Sequence, residues 1–194
     1  MTKNILVTGV GSELGKQVSL FLTNNGHHVK THTKSGKGSN YGGNLTRTHV
    51  VDGILKDNPN LDVLICCHGG HKFEDTIENM LDANLISTMN ICDRITNNME
   101  KNGHGHILII GSYAGCFGKP TGINYAISKA AVHHYIRCKA SESKIVQING
   151  IALGNLNGNI SLKDAVEFIC SISFLNGISG QILRLDGGKH TFPC

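Results

Sequence analysis

Ile5-Leu6-Val7-Thr8-Gly9-Val10-Gly11-Ser12-Glu13-Leu14-Gly15 is the stretch that decides the fold. Its first three residues read as a short buried strand, and Val18, Leu20, Phe21 and Leu22 follow at helical spacing. Strand, glycine-rich turn and helix in immediate succession form a unit whose helix-start N–H groups can face an anion such as a pyrophosphate. Gly9 and Gly11 would let backbone approach that ligand, and Gly15 would let helix and strand pack. The glycine spacing is irregular, and a plain strand-to-helix turn would look the same. The remainder of the chain has to choose.

Asn24-Asn25-Gly26 closes the helix, and His28-Val29-Lys30-Thr31-His32 alternates as a second strand. At the end of that strand a carboxylate would favour a free ribose 2′-hydroxyl and a cation a 2′-phosphate. The residues are Thr33-Lys34-Ser35, so NADP(H) is expected in preference to NAD(H), unless Lys34 is only a solvated loop charge. Residues 36–43 are too short and polar for an amphipathic helix, so the second crossover helix is expected to be missing. A brief strand should lead into Asn44-Leu45-Thr46. Val50, Val51, Ile54 and Leu55 then mark a helix that Asn58-Pro59 ends.

Leu61 to Cys67 reads as a buried strand closed by His68-Gly69-Gly70. Neighbouring Cys66 and Cys67 face opposite sides of a strand, which suits small buried hydrophobes better than metal ligands. One long helix is expected from Asp75 to about Asn102, with Met80, Leu81, Leu85, Met89 and Ile91 on its apolar face and Asn84 inside it. Ile107 to Gly111 is a strand that delivers Ser112. A loop with Gly115, Gly118, Pro120 and Gly122 leads to a helix carrying Tyr125 and running to about Ser141. Ile145–Ala152 and Gln181–Leu185 read as strands, separated by Gly154 and a helix over Asp164 to about Phe174 that Ser161 starts. This alternation specifies a single α/β domain over residues 1–194, a doubly wound parallel sheet of Rossmann type with helices on both faces.

Composition narrows the function. At 194 residues one domain can bury roughly 70% of its unfolded surface. The net charge of +4 comes from 18 basic and 14 acidic residues that form no stripe, which argues against a general nucleic-acid surface. Seven cysteines without paired C-x-x-C spacing, and no secretory leader, suggest reduced thiols in the cytoplasm. No apolar run is long enough to span a bilayer, so no membrane partner is expected.

Tyr125 and Lys129 stand at i and i+4, on one face of a helix, where an ammonium can sit beside a phenol. A neighbouring cation favours the phenolate and would lower a pKa that is normally about 10. Ser112, at a strand's carboxyl end, lies where open α/β sheets place their ligands. Alone, such a pair is common on helices.

Nearly end to end, these residues resemble the short-chain dehydrogenase/reductase family. Thr8-Gly9 with Leu14-Gly15 resembles its cofactor turn, and Leu61 to Gly69 its fourth strand with the Asn-Asn-Ala-Gly segment. Asn84, Ser112, Tyr125 and Lys129 fall where its catalytic tetrad falls, and Ile148–Ala152 with Gly154 resembles its sixth strand and turn. The resemblance implies hydride transfer between a nicotinamide and a carbonyl or alcohol carbon of a small-molecule substrate. Tyr125 would be the general acid, Ser112 would bond the same oxygen, Lys129 would hold the nicotinamide ribose, and Asn84 would bend its helix and hold a water. Gly9, Gly11, Ser12, Leu14, Gly15, Thr33, Lys34, Asn44, Leu45, Gly69, Tyr125, Lys129 and Gly154 would line the cofactor, and a homodimer or homotetramer would be usual.

The departures are Glu13 in the glycine turn, repulsive to a pyrophosphate unless it points away, and Cys66-Cys67-His68 before Gly69. Asn44 replaces an Asp, Leu153 a Pro, and only one helix fits between Gly154 and Gly180, so the helical substrate lid is expected to be absent. Two rivals stand beside the reductase: an NADP(H)-sensing or scaffold module, and a sugar-nucleotide epimerase or dehydratase, for which no substrate domain remains.

Overall fold

The computed structural model describes residues 1–70, 75–117 and 122–188. Among the described residues seven strands alternate with helices: β1 (Asn4–Thr8), α1 (Glu13–Asn24), β2 (His28–Thr33), β3 (Tyr41–Gly42), α2 (Thr48–Asp57), β4 (Val63–Cys66), α3 (Ile77–Leu81), α4 (Ser87–Asn102), β5 (His106–Ile110), α5 (Ile123–Glu142), β6 (Gln147–Leu153), α6 (Leu162–Ile172) and β7 (Ile182–Leu185). The sheet order is β3-β2-β1-β4-β5-β6-β7 and every pairing is parallel. Chain order reverses between β1 and β4, which opens a crevice at the carboxyl ends of those strands.

Strand alternation builds two cores. Leu6, Leu64, Cys66, Ile107 and Ile109 point to one side, against Val51 and Ile54 of α2, Ile91 and Ile95 of α4, and Ile136 of α5. Ile5, Val7, Val63, Ile65 and Leu108 point to the other, against Leu14, Val18 and Leu22 of α1 and Ile169 of α6. Cys66 and the half-buried Cys67 accordingly face opposite cores. Among the described residues no helix is long and apolar enough to cross a membrane.

Several expectations need adjustment. The helix expected from Asp75 to Asn102 starts at Ile77, capped by Thr76, and is interrupted by a π-turn over Asp82–Ile86, centred on Asn84. Strand starts are shorter than the apolar runs that announced them, since Leu61 and Val146 are buried but lie ahead of β4 and β6. Ser161 caps α6 as expected, accepting from Asp164 N at 3.0 Å. No helix joins β2 to β3; Asn40 Oδ1 instead ties the polar loop to Thr31 N at 2.9 Å. Between β6 and α6 the chain makes a tight turn, with Asn157 at a φ of 61° and its N–H donating to Ile160 O at 2.9 Å, so no lid helix stands there. Gly118 and Pro120 lie outside the described residues.

Candidate active site

The first strand delivers its glycine turn directly into the crevice. Gly9 N and Val10 N both donate to His32 O, at 2.8 and 3.2 Å, so the end of β2 holds the turn. Ser12 caps α1, its Oγ accepting from Gly15 N at 3.2 Å and donating to Gly9 O at 2.9 Å. Gly9, at a φ of 78°, lies against the backbone of Cys67 and His68, where a Cβ would collide. Its smallness is thus required by the neighbouring strand's turn as well as by any ligand. Gly15 packs on Gly9 O, and Gly11 is open. Glu13 is exposed and takes a hydrogen bond from Gln17 Nε2 at 2.7 Å, one turn along the helix. Its carboxylate is therefore engaged along α1, toward the next turn of the helix.

A cavity of about 680 Å³ opens above this turn. Gly9, Gly11, Ser12, Thr33, Lys34, Asn44, Leu45 and Gly69 all line it. Leu14 and Gly15 are buried beneath the turn and Gly154 packs against Asp186; these three, and likewise Tyr125 and Lys129, are not in the described lining. The volume, the free N-terminus of a twelve-residue helix and the exposed Lys34 fit an elongated, phosphate-bearing dinucleotide.

Asn84 and Lys129 stand beside Gly69, and Lys129 in turn neighbours Tyr125, which bonds Ser112. Asn84 is 1% exposed, accepts from Gly70 N at 2.9 Å, and donates to Gly70 O at 3.1 Å and to Ser128 Oγ at 3.0 Å. Ser128 Oγ donates in turn to Tyr125 O at 2.8 Å. A Cβ on Gly69 would meet Asn84 Oδ1 at 2.6 Å and Lys129 Nζ at 3.3 Å, so only glycine leaves both in place. Lys129 Nζ donates to Ile110 O at 3.2 Å and lies 5.8 Å from the centre of the Tyr125 ring. Ser112 Oγ accepts from Ala114 N at 3.2 Å and also hydrogen-bonds the half-buried Tyr125.

Electrostatics correct one expectation. Burial pushes the Tyr125 pKa above its usual value, with the Ser112 hydrogen bond pulling the other way and Tyr113 adding to the rise. The expected lowering does not prevail: the Lys129 ammonium is turned to the Ile110 carbonyl, and burial brings its own pKa down to about 8. Tyr125 therefore holds its proton at neutral pH.

Sequence reasoning missed two histidines. His32 Nε2 bonds Gly43 O at 3.0 Å ahead of Asn44, and burial lowers this imidazole's pKa to about 4. His68 joins Thr8 Oγ1 at 2.6 Å and Thr88 Oγ1 at 3.2 Å. The only signal for His68 was that it departs from the family's segment.

The short chain dehydrogenase family model matches residues 44–165 of the chain. The chain belongs to this family. It is 27% identical over 229 aligned residues to the 3-oxoacyl-[acyl-carrier-protein] reductase MabA of Mycobacterium tuberculosis, covering 97% of this chain and 93% of that protein. With FabG of Staphylococcus epidermidis, another 3-oxoacyl-[acyl-carrier-protein] reductase, identity is 24% over 98% of this chain and 100% of that one. Among solved structures, ElxO with NADP bound superposes with a TM-score of 0.87 at 25% identity, over 97% of this chain and 98% of that chain. This short-chain dehydrogenase is an NAD(P)-dependent oxidoreductase acting on a CH–OH or C=O group.

Proposed function

We propose that the chain reduces a ketone or aldehyde carbonyl with NADPH, with Tyr125 as general acid, and that a 3-oxoacyl thioester is the substrate class nearest to its natural one. The observation that carries this reading is the set of contacts that links Ser112 to Tyr125, Tyr125 to Lys129, and Lys129 with Asn84 to Gly69, which lines the cavity. When bound, the nicotinamide supplies the hydride. Tyr125, protonated at neutral pH, supplies the proton to the oxygen on which charge develops, and Ser112 donates to that same oxygen. Lys129 places a buried positive charge beside them, and Asn84 fixes the Gly69-Gly70 turn, which lines the cavity. Exposed Lys34 would face a 2′-phosphate, which favours NADP(H) over NAD(H). MabA and FabG are named for 3-oxoacyl substrates, and among the described residues the tight turn at Asn157 puts no lid helix between β6 and α6, which suits a long acyl chain.

The test is NADPH oxidation across a panel of ketones, aldehydes and 3-oxoacyl thioesters. Turnover strongest on the thioesters supports the proposal. Tight NADPH binding with no oxidation of any carbonyl replaces it with the sensor or scaffold reading.

A further inference from the structure

We infer that His68 is a positioning residue that braces the end of β1, immediately ahead of the glycine turn, against the Asn84 π-turn, and so fixes the spacing of cofactor turn and proton-handling turn. The inference rests on the reductase reading of that site. Hydrogen-bond bookkeeping sets the imidazole's tautomer. Thr88 Oγ1 gives its only proton to Asn84 O at 2.7 Å, so toward His68 Nε2, 3.2 Å away, it can only accept. Nε2 therefore carries the hydrogen, and Nδ1 is a bare acceptor that receives the Thr8 hydroxyl at 2.6 Å. Two other groups compete for that hydroxyl: Ile65 O, 3.5 Å away and much the weaker choice, and the buried Cys66 sulfur, which also lies within hydrogen-bonding reach of His68.

Donors and acceptors thus run in one direction, from Thr8 through His68 and Thr88 to the carbonyl of Asn84. Thr8 and Thr88 are 0% and 2% exposed, so a lost partner at either would not be replaced by bulk water. The brace is placed to matter. Gly9, next to Thr8, rests on the His68 backbone, and Asn84 holds Gly70 with its side chain while Thr88 holds its carbonyl. An alanine in place of His68, as in the family's Asn-Asn-Ala-Gly segment, could make neither bond. The device belongs to this chain.

The test compares His68→Ala and His68→Gln by calorimetry with NADPH, by amide exchange at Leu85 to Met89, by thermal melting, and by kcat and KM on whichever carbonyl the wild type reduces. The alanine variant should bind NADPH about tenfold more weakly and exchange those amides about tenfold faster, the scale of one lost buried hydrogen bond. Glutamine carries an acceptor and a donor about as far apart as the two ring nitrogens, and should recover both to within about threefold. Thr88→Val should match His68→Ala, and the double variant should be no worse than either. A lowered melting temperature with wild-type NADPH affinity and wild-type exchange at the turn would mark His68 as mere filling and overturn the inference. Affinity and exchange are read without turnover, so failure to reduce any carbonyl would count against the reductase reading alone.

Discussion

Replacing Asn84 by alanine removes the fastening that joins three segments far apart in sequence. Its amide makes two hydrogen bonds to Gly70, at 2.9 and 3.1 Å, and one to Ser128 Oγ at 3.0 Å. Each neutral bond contributes about 1 kcal/mol net, a total of about 3 kcal/mol. Alanine's better helix propensity returns roughly 0.6 kcal/mol, which leaves about 2 to 3 kcal/mol of destabilisation. For a chain of this length that is a fall in Tm of about 5 to 10 °C. Urea unfolding followed by circular dichroism reads the difference directly. A cycle with Ser128→Ala should return a coupling of about 0.5 to 1 kcal/mol, because Ser128 links Asn84 to the Tyr125 carbonyl. A loss below about 1 kcal/mol, or strict additivity with Ser128→Ala, would show that the amide is not the fastening described.

Two further outcomes follow from the charges. On the proposed mechanism reduction needs Tyr125 protonated and Lys129 charged; with the Tyr125 pKa raised and that of Lys129 near 8, the rate should be flat below about pH 7 and fall as pH passes about 8. A rate that climbs through pH 8 would contradict this. The same depressed pKa means that between about 8 and 10.5 the unfolded chain holds a proton that the folded chain has released, so this residue's contribution to stability rises with pH there. Lys34→Glu should shift preference from NADPH toward NADH by on the order of tenfold at low salt, since it inverts a charge in the cavity lining; an unchanged ratio by calorimetry would remove Lys34 from cofactor selection.

The doubly wound sheet was legible because each central strand is buried on both faces and reads as an uninterrupted apolar run, while α1, α2 and α6 each announce one apolar face. Ser12 and Ser161 sit where helix caps are expected and do cap. The π-turn was not legible: an asparagine inside a helical pattern looks the same whether exposed or anchoring a widened turn, and only its bonds to Gly70 and Ser128 distinguish them. Spacing brought Tyr125 and Lys129 to one helix face, but the direction of the ammonium depended on the Ile110 carbonyl, nineteen residues before it. His68 was invisible for a similar reason. Its partners lie 60 and 20 residues away, and nothing local marks them.

Tyr125→Phe is the most direct test of the account, because it removes one hydroxyl and leaves the half-buried ring, the helix and the cavity lining in place. NADPH oxidation by this variant beside the wild type, with a 3-oxoacyl thioester and with NADPH affinity measured in parallel, is the measurement. The account predicts a wild type that oxidises NADPH and a variant that binds NADPH within about twofold of wild type yet turns over at least about a hundredfold more slowly, the usual scale for a lost general acid. A variant that keeps most of its rate would contradict it.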